Sequence, residues 1–251
     1  MIRGFFLGRR PYLPVHELMQ SLFEARQRGE VGDTVLLLEH DPVITLGRTA
    51  KRENLLAQPD ALARLGVEVV ETGRGGDVTL HAPGQLVAYP IVDLSPDRRD
   101  VRKYVQGLTA VMASLVEPHG LSTGTISGKI GMWVDAESPG HWPGEEAARM
   151  PVKLGAIGVR ISRWVTQHGF ALNLTTDLAL FQWIVPCGIR EFGVASLEQM
   201  TGTRLAVRDA AELAFPAIAA RLDRAAGPLV DASEWPLDRV LEAARLLAVT
   251  P

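Results

Sequence analysis

The sequence has little of several features that mark particular protein classes. It contains one cysteine, Cys187, in 251 residues, so an internal disulfide cannot form and a reducing compartment, the cytoplasm, is expected. No apolar run approaches the roughly 18–20 residues that a membrane-spanning helix needs, and the N-terminal run GFFLG is too short for a signal peptide. We therefore expect a cytoplasmic protein with no membrane association.

Charge and motif patterns exclude further classes. The formal net charge is −3 with no basic excess, so nucleic-acid binding is not expected, although an acidic protein partner can still dock on a local basic patch. The six histidines are scattered without HxxxH or CxxC spacing, so we expect no metal site. Neither GxGxxG nor GxxxxGK[ST] occurs, and the phosphate-binding templates therefore do not match.

Predicted strands and helices are mixed without a regular βα alternation. The clearest helix is DVRKYVQGLTAVMASLVEPHG, in which apolar residues recur at helical spacing until Pro118 and Gly120. KLGAIGVRISRWVT and HGFALNL predict paired strands. This pattern favours an α+β fold with a mixed or mostly antiparallel sheet and flanking helices.

A glycine-rich stretch, RGGDVTLHAPGQ, lies between two predicted strands. Glycine lacks the Cβ that keeps a ligand away from the backbone, so Arg74 to His81 can form a ligand-binding loop. A glycine-rich hairpin with a packed histidine explains the same composition equally well. The composition alone leaves both interpretations open.

Three further residues each have a structural and a chemical interpretation. Cys187, in QWIVPCGI, is either a small buried hydrophobe or a thiol presented by a Pro-Cys-Gly turn. Lys153 is either a surface residue or a cation that lowers the pKa of that thiol. His168 is either a structural polar group or the base of a Cys-His pair.

Several segments together resemble the octanoyl (lipoyl) transferase family of protein lipoylation. The resemblance rests on EHDPVITLGR, RGGDVTLHAPGQLVAYPIVDL, KLGAIGVRISRWVTQHGFALNL and PCGI, in this order, over roughly residues 35–205. It implies a fold like that of the biotin and lipoate protein ligase catalytic domains. It also implies a catalytic domain over residues 1–228 and a C-terminal helical extension, residues 229–251, packed on the same domain.

The resemblance implies an acyltransferase that takes octanoate, or lipoate, from acyl carrier protein onto Cys187 and passes it to a protein lysine. Lys153 matches the lysine that lowers the pKa of the cysteine. The expected acceptors are lipoyl domains of 2-oxoacid dehydrogenase complexes and the glycine cleavage H protein, and no cofactor is expected. The substrate-binding residues that the resemblance implies are Arg74, Gly75, Gly76, Asp77, Val78, Thr79, Leu80, His81, Ala156, Ile157, Gly158, Gly169, Phe170 and Ala171.

One departure from the family pattern and three alternative functions remain at this point. The family usually has an aromatic residue followed by HGPGQ, where this chain has Leu80 and then HAPGQ, so Ala82 is expected to shift the loop slightly. An ATP-dependent lipoate or octanoate ligase on the same fold would not need Cys187. A thiol hydrolase would use Cys187 with His168, and a non-catalytic binding module would use neither.

Overall fold

A computed structural model describes residues 1–185 and 192–246 of the chain. The strands are β1 (Ile2–Arg10), β2 (Thr34–His40), β3 (Val43–Leu46), β4 (Glu68–Glu71), β5 (Val78–His81), β6 (Gln85–Ile91), β7 (Gly124–Ile126), β8 (Lys129–Asp135), β9 (Pro151–Ser162), β10 (Val165–Asn173) and β11 (Ala226–Asp231). The α-helices are α1 (Tyr12–Gln27), α2 (Pro59–Arg64), α3 (Val101–Val116), α4 (Leu197–Thr201), α5 (Val207–Arg221) and α6 (Leu237–Leu246).

A mixed sheet of eight strands runs through the molecule in the order β11-β1-β2-β6-β10-β9-β8-β7. β1 is parallel to both of its neighbours, and the remaining pairs are antiparallel. A second sheet of three strands has the order β4-β3-β5. The predicted α+β class and the predicted pairing of β9 with β10 are confirmed.

The large sheet is covered on both faces, as the side chains of β2 illustrate. Val35 and Leu37 pack into a core with α3 and α5, whereas Leu36 and Leu38 pack into a core with α1 and α6. Successive strand residues point to opposite faces, so a continuous apolar run is expected where both faces are buried. The three-stranded sheet has a core of its own.

Local signals explain how the helices begin and end. Asp100 caps α3 by accepting a hydrogen bond from the Lys103 N–H at 2.9 Å, and Gly120 ends the following turn with a φ of 88°. Ser196 caps α4 by accepting a hydrogen bond from the Gln199 N–H at 3.2 Å. Pro216 lies inside α5, which is one helix from Val207 to Arg221.

The C-terminal part of the described chain adds a strand as well as a helix. The predicted boundary at residue 228 falls inside β11, which pairs in parallel with β1. Val240 and Ala244 of α6 are buried in the same core as α1. Across the described ranges, every helix is too short or too polar to cross a membrane.

Candidate active site

The candidate residues meet where the three-stranded sheet covers a strip of small residues on the large sheet. Gly158 of β9 lies opposite Gly169 of β10, and Ala156 lies opposite Ala171. A Cβ added to Gly158 would lie 3.0 Å from the Gly75 carbonyl oxygen, so the glycine lets the loop approach the sheet. These side chains leave room for a cavity between the two sheets.

Arg74 organises the glycine-rich loop from inside. Its side chain is buried, and Nε donates to Thr45 Oγ1 at 3.0 Å. The two terminal nitrogens donate to the carbonyls of Thr45, Gly75 and Asp77 at 2.6–3.0 Å. Because Arg presents several donors in a fixed plane, one side chain sets the path of the loop.

The loop also contacts β3 and its following segment closely. A Cβ on Gly47 would lie 2.1 Å from the Gly76 carbonyl oxygen, and Gly76 has a φ of 87°, which glycine adopts readily. The Asp77 carboxylate accepts from the Lys51 N–H at 3.0 Å and from Asn54 Nδ2 at 2.5 Å. Asp77 therefore holds the neighbouring segment in place.

A row of buried polar side chains links the loop to the chain that follows Cys187. The pKa of His81 is lowered to about 3, first by burial and then by nearby His40, so the imidazole is neutral and its Nδ1–H donates to Gln85 Oε1 at 2.7 Å. Gln85 Nε2 donates to Asn173 Oδ1 at 2.8 Å, and Asn173 Nδ2 donates to the Ala195 carbonyl at 2.9 Å. Each of these buried groups thus has a partner, as burial requires.

Lys153 is a buried residue of β9 and does not lie on the surface. Its side chain is 6% exposed, and Nζ donates to the Ile130 carbonyl at 3.2 Å. The ammonium also lies 4.8 Å from the centroid of the Trp133 ring. An ammonium placed in this way between a carbonyl and an aromatic face is held in a defined position.

Cys187 lies in residues 186–191, outside the described residues, whereas the chain on both sides of it is described. On one side, the Val185 N–H donates to the Asn54 carbonyl at 2.8 Å. On the other side, Gly193 accepts from the Lys153 N–H at 3.0 Å. Asn54 and Lys153 line the same cleft, so Val185 and Gly193 are each hydrogen-bonded to a residue of this cleft.

The cleft leads to narrower cavities between the sheets. The outer cleft has a volume of about 690 Å³ and is lined in part by Gly76, Asp77 and Ile157. The inner cavity is lined by eleven of the fourteen predicted substrate-binding residues, namely Arg74, Gly75, Gly76, Thr79, His81, Ala156, Ile157, Gly158, Gly169, Phe170 and Ala171. Val78 and Leu80 instead pack in the core of the three-stranded sheet.

The sequence did not single out Tyr89 and His40, which lie deep beside the inner cavity. Tyr89 lines the cavity together with His168. The Tyr89 hydroxyl donates to His40 Nε2 at 2.9 Å. The other ring nitrogen of His40, Nδ1–H, donates to the Arg10 carbonyl at 3.1 Å. Burial lowers the pKa of His40 to about 4 and that of His168 to about 3. A histidine within the apolar stretch VLLLEHDPV is the sequence feature that could have indicated His40 as a buried polar residue.

Comparisons with known proteins show the family of this chain. Residues 11–219 match the family model of the lipoyl protein ligase A/B catalytic domain. The octanoyltransferase of Myxococcus xanthus is 49% identical over 211 residues, which are 84% of this chain and 57% of the Myxococcus protein. The octanoyltransferase of Solibacter usitatus is 48% identical over 183 residues, which are 73% of this chain and 76% of that protein.

Solved structures of low sequence identity share the fold. The bipartite lipoate protein ligase of Thermoplasma acidophilum has a TM-score of 0.65 at 13% identity and covers 96% of this chain and 92% of its own. A lipoate-protein ligase A bound with ATP has a TM-score of 0.63 at 14% identity, covering 96% and 95% of the two chains. By its family match and by its identity to curated relatives, the chain belongs to the lipoyl protein ligase A/B catalytic domain family and, within it, to the octanoyltransferases.

Proposed function

We propose that the protein transfers an octanoyl group from octanoyl-acyl carrier protein, through a thioester on Cys187, to a lysine of a lipoyl domain. Lipoyl domains of 2-oxoacid dehydrogenase complexes and the glycine cleavage H protein are the proposed acceptors, and the cytoplasm is the proposed compartment. The observation that supports this mechanism is the hydrogen bond between Lys153 and Gly193. It joins the proposed thiolate-stabilising lysine to the chain six residues after Cys187.

In the first step, the Cys187 thiolate attacks the carbonyl carbon of the carrier thioester. The bond between that carbon and the carrier sulfur breaks, and the proton released by Cys187 ends on the carrier thiol. A nearby ammonium favours a thiolate over a thiol. Lys153 therefore increases the fraction of Cys187 that is present as the nucleophilic thiolate. One thioester replaces another, and the reaction therefore needs no ATP.

In the second step, the neutral amine of the acceptor lysine attacks the Cys187 thioester. A C–N bond forms, the C–S bond breaks, and Cys187 leaves as a thiolate that Lys153 stabilises. The extra proton of the amine is released to water, so the amide product is neutral and Cys187 remains a thiolate beside the Lys153 ammonium. The Gly76 N–H, at the junction of cleft and cavity, is the candidate donor to the oxyanion.

The cavity between the sheets supplies a site for the acyl chain. Ala156, Gly158, Gly169 and Ala171 present little side chain, while Phe170 and Ile157 add apolar surface. Each buried methylene of an acyl chain contributes about 0.8 kcal/mol of binding free energy. The acyl group is thus bound mainly by apolar contact, with its carbonyl toward Lys153.

Two alternative reactions differ from this one in the residues that they need. A ligase that adenylates a free acid requires a nucleotide and magnesium but not Cys187, so it would still act in Cys187→Ala. A Cys-His hydrolase requires a histidine that accepts a proton near neutral pH. His168 does not meet this requirement, because burial lowers its pKa to about 3.

The mass of the intact protein after incubation with octanoyl-acyl carrier protein tests the proposal. We expect one octanoyl adduct on the wild type that hydroxylamine removes, no adduct on Cys187→Ala, and slow formation on Lys153→Ala. Lys129→Ala is the matched control, since Lys129 lines the same cleft but its ammonium lies over the Phe192 ring. An adduct that persists on Cys187→Ala, or no adduct on the wild type, would contradict the mechanism.

A further inference from the structure

Two small inner cavities, of about 10 and 40 Å³, are neighbours in the space between the two sheets, and their combined course is called the path. One cavity is lined by Lys153, Gln85 and Asn173, and the next by Tyr89 and His168. Both are also lined by Thr79, Ala156 and Ala171. A linear ligand that begins beside Lys153 therefore extends toward Tyr89 and His168.

The far end of this path lies several residues along the sheet from Lys153. His168 is opposite Val159 on β9, six residues along the strand from Lys153, so the two residues lie at different ends of the strip that lines the cavities. The two ends of the path are lined by different kinds of residue: Lys153 at one end and aromatic rings at the other.

The rings at the far end meet edge to face. The centroids of the Tyr89 and His168 rings are 6.1 Å apart, with an interplanar angle of 88°. Both side chains are buried, at 3% and 2% exposure. Both rings line the inner cavity, and their edge-to-face contact is a favourable one for aromatic pairs.

Neighbouring groups hold both rings in place. The Tyr89 hydroxyl is bonded to His40, which is itself bonded to the Arg10 carbonyl. The His168 backbone N–H donates to Met19 Sδ at 3.4 Å, which fixes the backbone, and the His16 ring lies 5.9 Å from the His168 ring. Neither ring can swing away without breaking contacts in a packed core.

We propose that Tyr89 and His168 form an end wall of the acyl site and set the longest acyl chain that the enzyme accepts. The inference rests on the proposed octanoyl transfer and specifies its substrate. A longer chain must displace the wall or leave methylenes outside the cavity. Each methylene left unburied lowers the rate of Cys187 acylation about fourfold, which is the equivalent of about 0.8 kcal/mol.

His168→Gly is the informative variant. His168 has a φ of 61°, a conformation that glycine adopts without strain, so the substitution removes the ring while the backbone is retained. Because two more methylenes are then buried, we expect the ratio of decanoyl to octanoyl acylation rates at Cys187 to rise about fifteenfold over wild type. The rates are measured by intact-protein mass with carrier proteins bearing six-, eight-, ten- and twelve-carbon chains.

Two matched control variants show whether a change in the chain-length ratio comes from loss of the His168 ring or from any substitution near it. His16→Ala removes a half-buried ring on the outer side of His168 and should leave the ratio within twofold of wild type. Tyr89→Phe keeps the aromatic ring and should also leave the ratio of decanoyl to octanoyl acylation rates within twofold of wild type. His168→Asn, which also tolerates positive φ, provides a shorter side chain if the glycine variant does not fold.

The outcomes distinguish this inference from the proposed function. An unchanged chain-length ratio in folded His168→Gly or His168→Asn that still forms the octanoyl thioester would overturn the end wall alone. Failure of the wild type to form any octanoyl thioester would instead overturn the transferase mechanism, and the end wall with it. A higher ratio confined to the His168 variants supports the inference.

Discussion

The ammonium of Lys153 lies 4.8 Å from the centre of the Trp133 indole ring, and the two residues are cross-strand partners on β9 and β8. The indole N–H donates to the Lys129 carbonyl at 3.1 Å, which fixes the ring. The other contact of this ring is with Phe192, at 5.4 Å between centroids. Trp133 thus touches both the proposed thiolate-stabilising lysine and the described residue that follows the Cys187 segment.

Replacing Trp133 with Leu is expected to weaken the effect of Lys153 on Cys187. A cation over an aromatic face gains about 0.5–2 kcal/mol, so its loss should slow thiol alkylation at neutral pH about fivefold and raise the apparent thiol pKa. Trp133→Phe keeps an aromatic face and should retain most of the wild-type rate. Iodoacetamide alkylation as a function of pH measures both quantities, and equal thiol pKa values in wild type and a folded Trp133→Leu would contradict the role.

Two glycines near the substrate loop should respond differently to alanine. In Gly47→Ala, the new methyl meets the Gly76 backbone at 2.1 Å, so the loop must move, at a cost of about 1–3 kcal/mol. In Gly73→Ala, the nearest atom is Arg160 Cδ, at 3.5 Å, which is ordinary contact.

We therefore expect Gly47→Ala to lower both the urea midpoint and the rate of Cys187 acylation, the latter at least tenfold. Gly73→Ala should match the wild type or gain slightly in stability. Urea unfolding and intact-protein mass measure the two effects. Equal acylation rates in the two variants would show that the close contact at Gly76 does not matter for the loop.

Ala82→Gly restores the residue that is usual in the family. Ala82 is fully buried in the core of the three-stranded sheet, so the loss of its methyl and the added backbone freedom should destabilise the protein by about 1–2 kcal/mol. The ratio of octanoyl to decanoyl acylation should not change, since Ala82 packs away from the cavity. A shift in this ratio would show that Ala82 does alter the acyl site.

Gly84→Ala is the matched contrast within the same turn. Gly84 has a φ of 80°, and its added Cβ would lie 2.6 Å from Thr175 Oγ1. This variant should be destabilised more than Ala82→Gly. Urea midpoints of the two variants, measured together, test the comparison.

Three buried histidines predict a stability that falls in acid. Burial lowers the pKa of His40 to about 4 and those of His81 and His168 to about 3, against about 6.5 in the unfolded chain. Between these values the unfolded state binds more protons, so the free energy of unfolding decreases as the pH falls from about 6.5 toward 4. With three histidines the slope approaches about 4 kcal/mol per pH unit.

Urea unfolding at a series of pH values between 4 and 8 measures this dependence. The midpoint should be nearly constant above pH 7 and fall below pH 6.5. His168→Asn should reduce the proton uptake on unfolding by about one. A midpoint that stays constant from pH 7 to pH 5 would contradict the neutral state of these buried imidazoles.

Local sequence signals predict the elements that they themselves stabilise. The apolar spacing of α3 and the pairing of the neighbouring strands β9 and β10 each depend on residues close in the chain, and both are found. The segments that the resemblance placed around the acyl site also line one cavity. The roles of Lys153 and Cys187 remain predictions.

Contacts between distant residues were not predictable in the same way. Trp133 meets Lys153 only because β8 and β9 pair in one register, and Tyr89 meets His40 across β6 and β2. β11 was not predicted because Gly227 and Pro228 are poor strand residues. Proline is tolerated there because β11 is at the edge of the sheet.

The position of β11 has a practical consequence for shortened versions of the protein. The family match ends at residue 219, before β11 begins, yet β11 covers one side of β1. Removing residues 220–251 would leave the backbone N–H and carbonyl groups along one side of IRGFFLGRR unpaired. Such an uncovered apolar strand pairs readily with other chains, so a protein trimmed to the family match should aggregate even though its cavity residues are intact.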